Sequence, residues 1–597
     1  VLIDAAALEV SYQPLPIVPK GDPADTEIKF PDPQLIRRRC RVIGIDPRRP
    51  GFVVIEAIGS RNAPTESYRV NVRTGATTRI STEDAGSRTL YDRDGFARVR
   101  ETARIDRPPF IPGLRMSPPE PHVVPQRIEV HAAGPHGGWH SLDGLTGKAL
   151  HFTHADADFY GPRSIPLAFG ADPNVLYYAS NVGRDTYGIY ALDPATGVRL
   201  PFSVESDGFD IVTPGEMFNA RPLVFDHADR LVGVRLPGFP PTTRWLDPTL
   251  ARIDGWLHVR FPDRQVRILQ WDDAGRRYLV LVSGPTDPGR YYLYEDGPAP
   301  TMIELLRRTL IRAEDVARVV PFSLVTRGGV RLTGTMTLPR NPRLSPPPLL
   351  VWCRDIPGER LAPSEFDRPS QAFAAQGFLV LTLNPRGTGG FGRQHRDAIR
   401  AGVDRVPLED IQATLDWMAP REPFDRRRMV IGGEGFGGYL ALRAAELFPG
   451  EFRAVFGLDA PTDPVDWITA PEPMNPELGN FRAAPVASEA KAHRRAFFGP
   501  DLKPLEAISV RRDAAALRAS VLILQDPLRR DLSPKEGPAL RDALRRLGRD
   551  VQEIELPPAY GRDDGDARFR AFQRIGDFLN DRLFSYRVDV GHEQEVK

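Results

Sequence analysis

The sequence predicts a two-part fold, an all-β propeller followed by a doubly wound, mostly parallel α/β sheet, and three observations predict it. Short β-like runs broken by turn signals fill residues 40 to 305. From residue 320 onward, apolar runs alternate with stretches of helical spacing. The chain of 597 residues is also about four times a typical domain of about 150, so more than one hydrophobic core is expected.

Within the first part, three stretches resemble one another: SYRVNVRTGATTRI from Ser67, YGIYALDPATGVRL from Tyr187 and YYLYEDGPAP from Tyr291. Each runs alternating apolar residues into a Thr-Gly or Asp-Gly turn and out again, the pattern of a strand pair in a radial blade. At about 40 to 50 residues per blade, the region is expected to hold six or seven blades, with a pair of β-sandwiches as the competing architecture. Residues 302 to 318, MIELLRRTLIRAEDVAR, change to helical spacing and read as a linker. The expected division is therefore a propeller domain over 1–310 with irregular first residues, an α/β domain over 311–590, and a tail over 591–597.

The second part opens with a hairpin over 320–339 around Gly328 and Gly329. Strands are then expected at 349–352, 378–383, 429–433, 454–460, 521–526 and 551–556, with helices over 370–376, 409–418, 437–448, 536–547 and 567–584. Near-continuous apolar strands alternating with helices describe a sheet covered on both faces, and the first hairpin predicts an antiparallel edge.

Composition narrows the function classes. Basic and acidic residues nearly cancel, 79 against 78, so no global field draws the chain to nucleic acid or an anionic membrane. The two cysteines, Cys40 and Cys353, give neither a disulfide framework nor a zinc-ligand spacing, and no cofactor is implied. No apolar run approaches the roughly 20 residues of a membrane-spanning helix. The chain begins at Val1 without a basic-then-apolar leader, which is compatible with a signal segment removed or left out, and exported, periplasmic and cytoplasmic locations all stay open. Six of eleven histidines (His122, His131, His136, His140, His151, His154) fall close together with Asp156 and Asp158. They read as blade and loop residues rather than a metal site, since His151 and His154 point to opposite faces of a strand.

The run that should carry chemistry follows the strand at 429–433: Gly433-Glu434-Gly435-Phe436-Gly437-Gly438-Tyr439, leading into an apolar helix. An α/β-hydrolase places its nucleophile on such a turn, in G-x-S-x-G. Here the middle residue is Gly435. The elbow glycines stand where close packing of helix on strand demands them.

At these residues the chain resembles the prolyl oligopeptidase and acylaminoacyl-peptidase family, serine peptidases that join a β-propeller to an α/β-hydrolase domain. Asn384-Pro385-Arg386-Gly387-Thr388-Gly389-Gly390-Phe391-Gly392 is similar to the family's N-x-R-G-S/T-x-G-Y-G. Phe366-Asp367 to Gly377-Phe378 resembles its F-D-x-x-x-Q-x-x-A-x-x-G-Y, and Asp410 falls where its D-x-x-x-A-x-x-W/Y helix begins. The resemblance extends over residues 40 to 585 and implies a Ser-Asp-His triad in the cleft between the two parts.

This chain departs from that pattern at every reactive position. The resemblance puts Arg529 at the acid position, with Asp531 two residues off register, and Gly561 or Arg562 at the histidine position. The family's H-G-G-P oxyanion loop is replaced by Cys353-Arg354-Asp355-Ile356-Pro357. Acyl transfer needs a nucleophile, a base and a carboxylate to hold that base, and losing the nucleophile or base alone costs around a million-fold in turnover. The expected function is therefore that of a pseudopeptidase acting by binding, as a peptide sensor, scaffold or partner subunit of an oligomer or assembly. The alternative is an active hydrolase of peptides or esters using displaced groups such as Cys353 or Asp531. Glu434 is a candidate base and Cys353 a candidate thiol nucleophile. Arg529 and Arg562, converging near Gly435, would form a site for an anionic ligand.

Overall fold

A computed structural model describes the chain from residue 40 to 584, together with short strands at 2–4 and 9–11. It leaves out gaps of a few residues and the longer segments 58–64, 107–121, 132–137, 153–160, 213–221, 470–497, 527–531 and 557–564. The expected tail over 591–597 lies outside the described residues, as do Arg529, Asp531, Gly561 and Arg562.

The described residues of the first part form a five-bladed β-propeller, against the six or seven blades expected. Four blades have four antiparallel strands and the fourth in chain order, built from Leu223–Phe225, Leu231–Leu236 and Thr242–Trp245, has three. The sequence estimate divided length by an average repeat. It missed that a helix, Pro248–Arg260, takes up chain between the fourth and fifth blades. The first two of the similar stretches form the last two strands of the first and third blades, and the third gives the end of Asp287–Glu295 in the fifth blade and the turn into its last strand. In the first of them Asn71 Oδ1 accepts from the amides of Arg73 and Thr74, the polar turn that the alternation led into.

The expected helical linker at 302–318 is also corrected. Thr301–Arg307 is the outer strand of the fifth blade, paired with Asp287–Glu295, and only a short 3-10 turn, Ala313–Asp315, follows. Its apolar residues Ile303, Leu305 and Leu306 are exposed, so the spacing that suggested a helix marks no buried stripe.

The second part is an eight-stranded sheet. Its strands are β1 (Arg318–Val325), β2 (Arg331–Leu338), β3 (Pro348–Cys353), β4 (Leu379–Asn384), β5 (Asp425–Glu434), β6 (Ala454–Leu458), β7 (Ser520–Gln525) and β8 (Val551–Glu555). They pair in the order 1-2-4-3-5-6-7-8. The β1–β2 and β2–β4 pairs are antiparallel and the rest parallel, so the antiparallel edge stands as expected. Both faces are covered, and β3 shows why its sequence is apolar throughout. Leu349, Val351 and Cys353 point into one core, while Leu350 and Trp352 point into the other.

The first core is closed by α2 (Arg405–Met418) and α3 (Phe436–Leu447), through Leu408, Ile411, Leu440 and Ala444. The second is closed by α1 (Arg368–Ala375) and α5 (Gly565–Leu583), through Phe373, Ala571, Ile575, Phe578 and Leu579. At roughly 1.5–3 kcal/mol for each large apolar side chain, such faces hold the helices where their own propensity would not. A fourth helix of this part, α4 (Glu536–Arg546), lies over β7 and β8. Among the described residues no helix is long and apolar enough to cross a membrane.

The 384–392 motif docks the two parts. Arg386 pairs with Asp410 of α2 at 2.8 Å, which joins two of the motif fragments structurally. Beyond it, the third blade and its connection take hold of the loop. Asp210 N donates to Gly390 O and Asp210 Oδ2 accepts from Gly392 N, both at 3.0 Å, and Asp185 O accepts from Arg393 N at 2.9 Å. Phe391 sits against Phe209 and Phe239.

Candidate functional site

The site is assembled by strand register. Parallel pairing of β3 with β5 sets Cys353 opposite Gly433, so the chain leaving β3 lies directly over the turn between β5 and α3. Gly435 occupies that turn with φ 58° and ψ −129°, a backbone that side chains adopt only under strain. Its amide donates to Leu458 O at 2.9 Å and its carbonyl accepts from Tyr439 N at 3.2 Å, so the turn is pinned on both sides. The neighbouring glycines are there for closeness. A Cβ on Gly437 would collide with Cys353 O, and one on Gly438 would lie 2.7 Å from the Ala460 Cβ.

Asp355 stands over the turn. Its Oδ1 accepts from the amide of Phe436 at 2.8 Å, and a Cβ built on Gly435 would lie 2.9 Å from its carboxylate carbon and both oxygens. The first amide of α3, a donor that a developing oxyanion would need, is therefore already engaged by a carboxylate of the same chain. Asp355 is itself exposed and covers a buried Gly435.

The other predicted residues divide clearly. Cys353 is 4% exposed among the core side chains beneath α2 and α3, and burial pushes its thiol up to about 12. Such burial and pKa favour a protonated, packed thiol at neutral pH. Glu434 is partly exposed and pairs with Arg568 at 3.1 Å, which holds it away from the role of a free base. Arg354 pairs with Asp367 at 3.2 Å, while its Nε is buried without an acceptor among the described residues. The structure thus brings Gly433, Glu434, Gly435, Gly437, Gly438, Cys353, Arg354 and Asp355 together. Arg529 and Arg562 fall outside the described residues. Of the clustered histidines, His140 and His151 are exposed and His131 meets the edge of Trp139 at 5.3 Å. No group of three or more metal-ligating side chains forms among the described residues.

Beside the elbow opens a cleft of about 1100 Å³ between the fifth blade and the C-terminal part. Gln265, Arg267, Ser283 and Arg308 face it from the blade, and Trp352, Asp355, Glu434 and Phe572 from the sheet side. The sequence reading missed the cleft arginines Arg267, Arg308, Arg368 and Arg568. The only local signal was Arg368, a cation at the first position of a helix, where the dipole disfavours it.

Comparison with known proteins agrees with this architecture. The model of the prolyl oligopeptidase family matches residues 364–493. Dipeptidyl aminopeptidase BIII of Pseudoxanthomonas mexicana is 21% identical over 468 residues, 74% of this chain and 61% of that protein. A probable dipeptidyl-aminopeptidase B of Aspergillus terreus is 28% identical over 211 residues, 33% of this chain. The chain spans about three fifths of the length of the first relative and 21% of the second. Among solved structures, a puromycin-hydrolyzing peptidase of Mycobacterium tuberculosis superposes with a TM-score of 0.61 at 17% identity, covering 92% of this chain and 86% of that one. The Pyrococcus horikoshii acylaminoacyl peptidase gives 0.56 at 12% identity, covering 92% and 89%. Propeller, sheet order and motif series agree with the prolyl oligopeptidase family, whose model matches residues 364–493 of this chain.

Proposed function

We propose that this protein is a member of that family without a working Ser-Asp-His triad, and that it acts by binding a peptide or protein partner. In this reading residues 1–310 are the propeller domain and 311–590 the hydrolase-type domain. Gly435, Arg529 and Arg562 stand at the triad positions, and the cleft between the domains receives the partner.

The observation that carries the reading is the Asp355 carboxylate. It fills the space that a side chain at 435 would enter and takes up the Phe436 amide. A carbonyl oxygen acquiring negative charge there would meet a fixed negative charge in place of a donor. The rearranged loop and the missing hydroxyl support each other: with glycine at 435 the carboxylate has room, and with the carboxylate in place the amide is not needed for catalysis. The burial of Cys353, which raises its thiol pKa, speaks against the displaced-thiol alternative.

A serine-directed fluorophosphonate probe and a panel of peptide and ester substrates test the reading. The expected result is no stoichiometric labelling and no turnover above a heat-denatured control. Stoichiometric labelling of the native chain, or steady hydrolysis that the probe abolishes, would sink it.

A further inference from the structure

Resting on the reading that the chain binds rather than cleaves, we propose that the cleft takes an acidic peptide, its carboxylates held by Arg267, Arg308 and Arg368. A volume of about 1100 Å³ exceeds that of many small-ligand pockets, about 300–1,000 Å³, and suits an extended segment of several residues.

The charge balance of the walls points to the ligand. The four lining acids are engaged: Asp367 by Arg354 and by the amide of Ser370, Glu434 by Arg568, Asp355 by the amide of Phe436, and Glu365 by a partner of its own. Arg267, Arg308 and Arg368 are exposed to the cleft and have no carboxylate within ion-pair distance among the described residues. In a chain where most cleft charges are matched, these three are left open.

Each is placed by a fixed element. Arg267 lies on a strand of the fifth blade, Gln265–Trp271, opposite Leu281. Arg308 follows the outer strand, its amide donating to Gly289 O at 2.9 Å. Arg368 opens α1, where the helix dipole works against a cation, so its position is relieved by an anion rather than by the helix. Arg235 of the neighbouring blade is held below its usual pKa, by burial first and by the charge of Arg267 second, which adds a further positive group behind the wall. Guanidinium forks suit the planar carboxylate.

The floor selects a peptide over a polyanion. Trp352 and Phe572 lie 6.2 Å apart between ring centres, and Phe569 at the rim is 61% exposed. An apolar side chain next to a carboxylate meets both features. A nucleic acid strand would meet a short cleft in a chain of net charge +1, with no extended basic track among the described residues.

Fluorescence anisotropy on the full chain tests this with a labelled, acetylated Glu-Glu-Leu-Phe peptide and its Gln-Gln-Leu-Phe counterpart. The acidic peptide is expected to bind at least about tenfold more tightly, and the Arg267→Gln/Arg308→Gln variant to lose about tenfold for it while its melting temperature stays unchanged. Equal binding of the two peptides, binding of neither, or unchanged affinity in that variant overturns the proposal. So does more effective displacement by a single-stranded oligonucleotide than by unlabelled peptide. The probe experiment at the elbow reads a different property. Labelling together with selective acidic binding removes the pseudoenzyme reading and leaves this site standing, whereas no labelling and no charge preference removes this site alone.

Discussion

The elbow and the cleft beside it are neighbours lined by the same kinds of groups, yet they treat polar atoms in opposite ways. At the elbow a carboxylate, an amide and a glycine turn satisfy one another within the chain. On the blade side of the cleft, Arg267 and Arg308 reach into open space with no acid partner among the described residues. The difference teaches where to look for function. Groups that have already exchanged water for an internal partner contribute to stability, and groups left unmatched in a concave surface are free to exchange water for a ligand.

The sharpest way to break this contrast is chemical. Cys353 lies under the elbow, and a thiol pushed up to about 12 has a thiolate fraction of about 10⁻⁴ at pH 8. In a Cys40→Ser background, a thiol reagent is expected to react with the native chain about a thousandfold or more slowly than with the chain in guanidinium. Comparable rates would mean that the region opens.

Next comes the turn itself. Gly435→Ser forces a side chain onto a backbone at φ 58° and displaces Asp355, and is expected to lower stability by about 1–3 kcal/mol in denaturant unfolding. Asp355→Ala, which removes the acceptor of the Phe436 amide, is expected to cost about 0.5–1.5 kcal/mol. Because both changes break the same contact, the double variant should cost less than their sum. Strict additivity would separate the carboxylate from the turn.

The dock between the two parts extends the contrast to pH. His395 Nε2 donates to Pro385 O at 3.0 Å, its ring against Phe391, and burial holds its pKa down to about 4. A histidine whose folded pKa is depressed stays neutral while the unfolded chain protonates near 6.5, so its contribution is present above that pH and lost on acidification from about 6.5 to 4. The slope it adds is no more than about 1.4 kcal/mol per pH unit, and His395→Gln should flatten the melting-temperature profile in that window. An unchanged profile would put the acid sensitivity elsewhere. The smallest effect on stability belongs to the cleft: Arg267→Gln and Arg308→Gln are expected to change it by less than about 0.5 kcal/mol, and a larger loss in thermal unfolding would mean that they hold structure after all.

Much of the fold was legible because its signal is local. Two of the hairpins, the positions of helices α1 to α5 and the apolar strands β3 to β7 each follow from the spacing of a few successive residues. The strand Thr301–Arg307 was misread as helix because its apolar residues face solvent, where spacing carries no information about a core. Of the site, the sequence named Gly435 and Asp355 separately and gave no sign that one covers the other.

By itself the sequence determined the two-part architecture, the antiparallel edge, the glycines of the elbow and the residue types at each motif position, since side-chain period and turn chemistry are properties of neighbours along the chain. The tertiary structure alone decided that the described residues form five blades, that Cys353 faces Gly433, and that arginines from residue 267 to residue 568 line one cleft. Those facts depend on strand register and on the docking of Asp185 and Asp210 against the 390–393 loop, contacts between residues nearly two hundred positions apart that no local window contains.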